Sequence, residues 1–419
     1  MPDRKKQPHF QKSLHFQIKN PDAFLKQGRA PLFILHGGEQ DVIRLEFIFR
    51  AGKWFETTPG LAHFSSVLLT KGTSALSGNE ISERLEELGY QIESGVSPDY
   101  AYLTAYGLRE NFKPALEIIK SCLLNPVFPE HELRQHQEIY LQQLKVNQEK
   151  TSYLASKLFR QQLFGKEHPY ASEATEPEVH ALTHEEIANY YKQHYHDFFV
   201  FLAGKTDDSV RESAIELTEQ LPWNSHALPE HKPAPSDEKR VHQPKAKAVQ
   251  ASVRIGKPII SRNHPDFPKV VLTNYILGGY FGSRLMNVIR EEKGLTYGIY
   301  STIQSQKKAT VFSIGADVNQ HQAEEVIEET FNQLKDLRTK PVQQKELELA
   351  KNHFIGSLQN EMSNIFAHME RFKTVYLFNL PSDYYSRLIL EINAATSDDI
   401  LLVSEKYFHE EDMTVAMVG

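Results

Sequence analysis

Apolar and polar positions change period along this chain in an order that occurs twice. Behind Gly89, Tyr90-Gln91-Ile92-Glu93-Ser94-Gly95 and then Tyr100-Ala101-Tyr102-Leu103-Thr104 alternate between two faces, as half-buried antiparallel strands do. Behind Gly294 the alternation returns in Leu295-Thr296-Tyr297-Gly298-Ile299-Tyr300. A polar turn at Gln306-Lys307-Lys308 follows, and then Thr310-Val311-Phe312-Ser313-Ile314. Each of these glycines ends an amphipathic helical stretch, Leu85–Leu88 in one case and Ile289–Lys293 in the other. Each can take the positive φ that such an ending requires. Longer helical patterns run from Pro129 to Gln148 and from Ala323 to Leu337.

The ends of the two copies also match. Thr183-His184-Glu185-Glu186 and Thr396-Ser397-Asp398-Asp399 both place an acid three residues after Thr, the signature of a capping box that starts a helix. Tyr195 and Tyr407 follow, and each copy closes on a short apolar strand ending in Gly, Phe199–Gly204 and Thr414–Gly419. Between the copies, residues 228–250 carry Pro229, Pro233 and Pro235, mixed charge and almost no large apolar side chains. Such a composition cannot bury enough surface to order itself. The pattern therefore predicts an α+β protein of two homologous domains, each an antiparallel sheet with helices packed on one face. The expected division is an N-terminal extension (1–20), a first domain (21–227), a linker (228–250) and a second domain (251–419).

Composition narrows the function classes. The chain has 419 residues, too many for one ordinary core, with 40% hydrophobic and 24% charged residues, a globular balance. A net charge of -7 and scattered Lys and Arg leave no basic footprint for nucleic acid. Cys122 is the single cysteine, so neither an intrachain disulfide nor a thiolate zinc cluster is available. Its apolar surroundings mark it as a buried thiol rather than a nucleophile. No window reaches the ~18 apolar residues of a membrane span. The polar start, Met1–Gln7, is not followed by an apolar run of signal-peptide length. The expected compartment is the cytoplasm, or the periplasm if a signal has been removed.

The segment Pro59-Gly60-Leu61-Ala62-His63-Phe64 through Lys71-Gly72-Thr73 resembles the active-site helix of the insulinase-like (pitrilysin) zinc peptidases. In active members that helix carries H-x-x-E-H. Two imidazoles four residues apart share one helical face and grip one ion, and the Glu serves as base. Here the helix reads His63-Phe64-Ser65-Ser66-Val67, with Ser66 at the base position and Val67 at the second ligand position. The third ligand of the family is a Glu on a helix after an N-P-x-F segment. That segment is present as Asn125-Pro126-Val127-Phe128, and the acid position falls on Gln143, or on Gln142 if the register slips by one. His63 alone cannot make a zinc site, which needs three or four ligands. His180 and His184 are also four apart but straddle the helix start at Thr183, and no intact zinc motif stands elsewhere.

The second half keeps a different feature of the family. Gly278-Gly279-Tyr280-Phe281-Gly282-Ser283-Arg284-Leu285 leads into Val288–Tyr297, and Arg290 and Tyr297 resemble the family's arginine–tyrosine pair, seven residues apart. Gly294 reverses the chain between them, so both side chains can converge on one spot. Phenol and guanidinium can both donate to a peptide carbonyl. The plainer alternative is that Arg290 caps a helix end and Tyr297 packs on the sheet. The Gly278-Gly279 pair lacks the spacing and the Lys-Ser/Thr ending of a phosphate loop.

The resemblance implies no catalytic residue and no metal in this chain. It implies Arg290 and Tyr297 as substrate-binding residues, and His63, Ser66, Val67 and Gln143 as degenerate zinc-site positions. The expected role is the zinc-less, substrate-binding subunit of a heterodimeric insulinase-like metalloendopeptidase. A homologous partner would supply zinc, and peptides or unfolded segments would lie as an added β-strand. The alternative is a non-proteolytic structural or peptide-binding subunit, with a homodimer among its forms.

Overall fold

The two capping boxes form, and each sets the entry to a buried strand. Thr183 Oγ1 accepts from the Glu186 N–H, while the Glu186 carboxylate accepts from the Thr183 N–H and hydroxyl, both at 2.9 Å. Thr396 and Asp399 repeat the arrangement, again at 2.9 Å for both. Helices His184–His194 and Ser397–Tyr407 start there and lead to the strands Phe198–Gly204 and Thr414–Val418. The computed structural model describes residues 17–419. Of the expected N-terminal extension, residues 1–16 lie outside the described residues.

The first sheet runs, edge to edge, Asp22–Phe24, Leu32–His36, Phe198–Gly204, Val42–Phe49, Ala101–Leu108, Tyr90–Val96. The second runs Arg240–Gln243, Thr414–Val418, Gln250–Ile259, Thr310–Asn319, Thr296–Ser305. Apart from the short first strand, the two orders are the same path traced twice. Each sheet is antiparallel except for one parallel pair, and that pair involves the corresponding strands. The expected α+β architecture with duplicated domains is the observed one. Gly89 (φ 72°) and Gly294 (φ 63°) reverse the chain where the pattern requires it.

Two features depart from the simple pattern. First, neither sheet is covered on one face only. In the first sheet, Leu32, Ile34, Phe47 and Val200 pack on that half's own helices, while Phe33, Leu35, Phe199 and Phe201 face the other way. Onto this second face the other half lends the helix Ile365–Leu377, through Ile365, Met369, Phe372 and Tyr376. In return the helix Thr151–Phe164 packs on the far face of the second sheet. There Arg254 Nε donates to Ser156 Oγ at 3.0 Å and Ser252 Oγ to Thr151 Oγ1 at 2.9 Å. The halves are thus interlocked by exchanged helices. A buried ion pair, Lys373 with Glu46, ties the exchanged helix to the first sheet.

Second, residues 228–250 are ordered by docking rather than by a core of their own. Trp54 Nε1 donates to Pro229 O (2.8 Å), the Ala234 N–H to Phe164 O (2.8 Å) and the Ser236 N–H to Gln162 O (2.9 Å). Within the same stretch, Arg240–Gln243 forms the edge strand of the second sheet. Its residues Arg-Val-His-Gln are largely exposed and carry no apolar alternation to read.

Candidate functional site

The helix Leu61–Leu68 begins at Gly60 (φ 104°), which has no side chain with which to cap it. Glu56 supplies the cap from the preceding loop: its Oε1 accepts from the Gly60 N–H (3.1 Å) and the Ala62 N–H (2.9 Å). Burial pushes the Glu56 carboxyl up to about 7, against the opposing pull of those two donors. No motif pointed to Glu56. A lone acid four residues before a Gly is too weak a sequence signal.

His63 is half-buried, with its ring on Phe64 (5.1 Å between centroids) and on Tyr140 (5.0 Å). Burial, helped by the charges of Lys53 and His136, depresses it to about 4, so it is neutral at pH 7. Ser66 is buried and donates from Oγ to the Gly95 carbonyl at 3.0 Å, on the neighbouring strand. Val67, four residues after His63, shares its face and offers no donor atom. Gln142 and Gln143 lie exposed on the helix Glu130–Gln148, and the side chain of that helix that lies on His63 is Tyr140. Its ring fills space beside the imidazole, a role the sequence did not signal. One imidazole, one hydroxyl already donating to a carbonyl, one isopropyl group and two amides do not fit zinc. Among the described residues, no group of three or more His, Cys, Asp or Glu side chains is placed to hold a metal ion. His184 Nε2 lies 2.9 Å from the Val127 carbonyl, while His180 stands 3.9 Å from Glu176 on the preceding helix. Cys122 is buried, and burial pushes its thiol up to about 12.

In the second half the structure brings Arg290 and Tyr297 together. Arg290 sits in the π-helical segment Met286–Glu292, which closes with the Lys293 N–H on Val288 O at 3.0 Å. Its guanidinium stacks over the Tyr297 ring at 5.3 Å and over Phe281 at 4.8 Å. Tyr297 falls in a bulge, between the pairs Thr296↔Val318 and Ile299↔Ala316, which swings it off the regular alternation. It is 91% exposed and Phe281 61%, so neither ring packs on the sheet. The two rings lie against the guanidinium; its Nε stands 3.5 Å from Glu291 Oε1, and the terminal N–H groups are left to donate. Phe281 escaped the sequence reading because an aromatic residue between glycines looks like any loop residue.

Beside this stack lies an unpaired sheet edge. Among the described residues, Thr296–Ser305 is the last strand of its sheet and pairs only with Thr310–Asn319. Tyr300 and Thr302 are also exposed along it. A free strand edge next to an anchored cation is an arrangement suited to holding an extended peptide.

Two family models match the chain. The insulinase (peptidase family M16) model covers residues 38–172, and the peptidase M16 inactive domain model covers residues 181–354. A protein of Bacillus subtilis described as the uncharacterised zinc protease YmxG is 25% identical over 370 residues, covering 86% of this chain and 88% of that protein. A Helicobacter pylori protein described as the non-peptidase homolog YmxG is 24% identical, over 86% of this chain and 84% of its own length. The crystal structure of a peptidase M16 inactive domain from Pseudomonas fluorescens superposes with a TM-score of 0.86 at 23% identity. It covers 96% of this chain and 98% of that one.

Proposed function

The chain belongs to the insulinase family, peptidase family M16, and from that membership we propose that it is a peptide-handling subunit of a composite metalloendopeptidase. Its own helix Leu61–Leu68 offers no zinc-binding set, so metal, water and general base come from a homologous, zinc-bearing partner chain. This chain's contribution is to bind and orient. An extended peptide pairs with the free edge of Thr296–Ser305, and the in-plane N–H groups of Arg290 donate to a backbone carbonyl of that peptide. Phe281 and Tyr297 fix the plane of the guanidinium, and the Tyr297 hydroxyl stands as a second donor. One observation carries this reading: an arginine against two exposed rings, at a strand edge that is open among the described residues.

On this proposal the chain works in the cytoplasm. Among the described residues no helix is long and apolar enough to cross a membrane. Peptide hydrolysis by the chain coexpressed with a zinc-bearing homologue tests the proposal. Arg290→Ala/Tyr297→Phe should lower the rate at least about a hundredfold, the size of effect seen when oxyanion donors are removed. Full activity of that double variant would overturn it. The description of the Helicobacter relative as a non-peptidase homolog favours a second reading, a peptide-binding unit outside proteolysis. In that case the chain purifies as a stable, zinc-free homodimer and binds peptides without any cleaving partner.

A further inference from the structure

Behind the edge strand Thr296–Ser305 lies a cavity of about 360 Å³, within the size range of small-molecule pockets. Its wall is dominated by Arg262, Tyr275, Phe354, Arg371, Tyr384 and Tyr385, and residues 301–303 of the edge strand close one side. The charges of this wall do not balance. Glu361 is its single acid, and Glu361 is already paired with Arg371, whose guanidinium lies 5.5 Å over the Tyr385 ring. Arg262 has no carboxylate within ion-pair distance among the described residues. Its guanidinium lies over Phe378 at 5.3 Å and Phe267 at 6.0 Å, and its Nε is buried without a hydrogen-bond partner. The buried hydroxyl of Tyr384 lies beside this guanidinium and is the polar group that faces it.

Arg262 is half-buried, flanked by two rings and without a carboxylate partner among the described residues, so a carboxylate entering the cavity meets an unbalanced positive charge there. The edge strand supplies the route. Ser301 is buried and Ile303 half-buried, both facing the helices, so a strand added outside Thr296–Ser305 points alternate side chains to that same side. We propose that the cavity receives a carboxylate of the peptide laid on this edge. Arg262 is its partner, and the rings of Tyr275, Phe354 and Tyr385 pack around the aliphatic part. The inference rests on the peptide-handling reading and adds a preference to it: peptides that carry an acidic side chain, or a free C-terminus, at this position.

The test is fluorescence anisotropy of the purified full chain with short labelled peptides. They differ in one residue, Glu against Gln, and each is made with a free and an amidated C-terminus. The expected result is a preference of about tenfold or more for the carboxylate-bearing peptide, weakened by salt and abolished in Arg262→Gln. Arg134→Gln, an exposed arginine of the first half, should leave it intact. A preference that follows Glu assigns the carboxylate to a side chain, and one that follows the free terminus assigns it to the chain end. Equal affinity for all four peptides, or a preference that survives Arg262→Gln, overturns the pocket assignment and leaves peptide handling standing. Failure of every peptide to bind overturns both. Should Arg262→Gln not fold, the wild-type comparison and its salt dependence decide the matter alone.

Discussion

Glu56 and His63 sit at the start of the same helix and titrate in opposite senses, and substituting either one should unmask the other. Burial raises the Glu56 carboxyl from 4.5 to about 7. The folded state therefore holds this proton more tightly than the unfolded chain does, and stability from this group falls as pH rises from 4.5 to 7. His63 is depressed from 6.5 to about 4. The folded state holds its proton less tightly, so stability from this group falls as pH drops from 6.5 to 4. At about 1.4 kcal/mol per pH unit, each effect amounts to about 3 kcal/mol across its range. The ranges overlap between pH 4.5 and 6.5, where the two slopes nearly cancel in the wild type. Glu56→Gln keeps an acceptor for the Gly60 and Ala62 N–H groups but removes the charge. In that variant, stability should climb with pH between 4 and 6.5. His63→Phe should show the reverse, falling between 4.5 and 7. For a chain of this length unfolding as one unit, about 3 kcal/mol corresponds to about 4 °C in Tm. Calorimetric melting at half-unit pH steps from 4 to 8 reads it out. Curves for Glu56→Gln and wild type that run parallel across that range would refute the reasoning, because the carboxyl would then titrate alike in both states.

Other consequences concern how the halves are joined. Phe201 is 1% exposed and packs against Phe372 and Tyr376 of the exchanged helix, so Phe201→Ala should cost about 3–5 kcal/mol. It should also speed proteolysis within Ile365–Leu377, as followed by mass spectrometry of limited digests. Unchanged cleavage there would mean the exchanged helix does not depend on this contact. Glu46→Ala leaves Lys373 buried, with Glu370 as its remaining acid, and should cost about 3 kcal/mol in denaturant unfolding. A near-neutral result would show that Glu370 alone satisfies the ammonium.

The duplicated parts of the fold were legible because their signals are local. Thr183 with Glu186, Thr396 with Asp399, and the two reversing glycines each declare themselves within four residues. The convergence of Arg290 and Tyr297 was readable for the same reason, since one Gly between a helix end and a strand fixes the geometry. What stayed hidden depends on distant partners. The apolar face of Ile365–Leu377 does not say that it will cover the other half's sheet. Nothing in Arg240–Gln243 distinguishes an edge strand from the linker around it, because its partner Thr414–Val418 supplies the order from the far end of the chain. Tyr140 beside His63, Glu56 capping the helix and Phe281 under Arg290 are close in space through loops and packing rather than through spacing.

The most direct test is peptide hydrolysis by the purified chain alone, with chelator and with added zinc, beside the same assay in the presence of a zinc-bearing homologue. The account predicts no metal-dependent cleavage by the chain alone. With the homologue it predicts cleavage that Arg290→Ala/Tyr297→Phe largely removes. Hydrolysis by the isolated chain that chelator abolishes and zinc restores would contradict it.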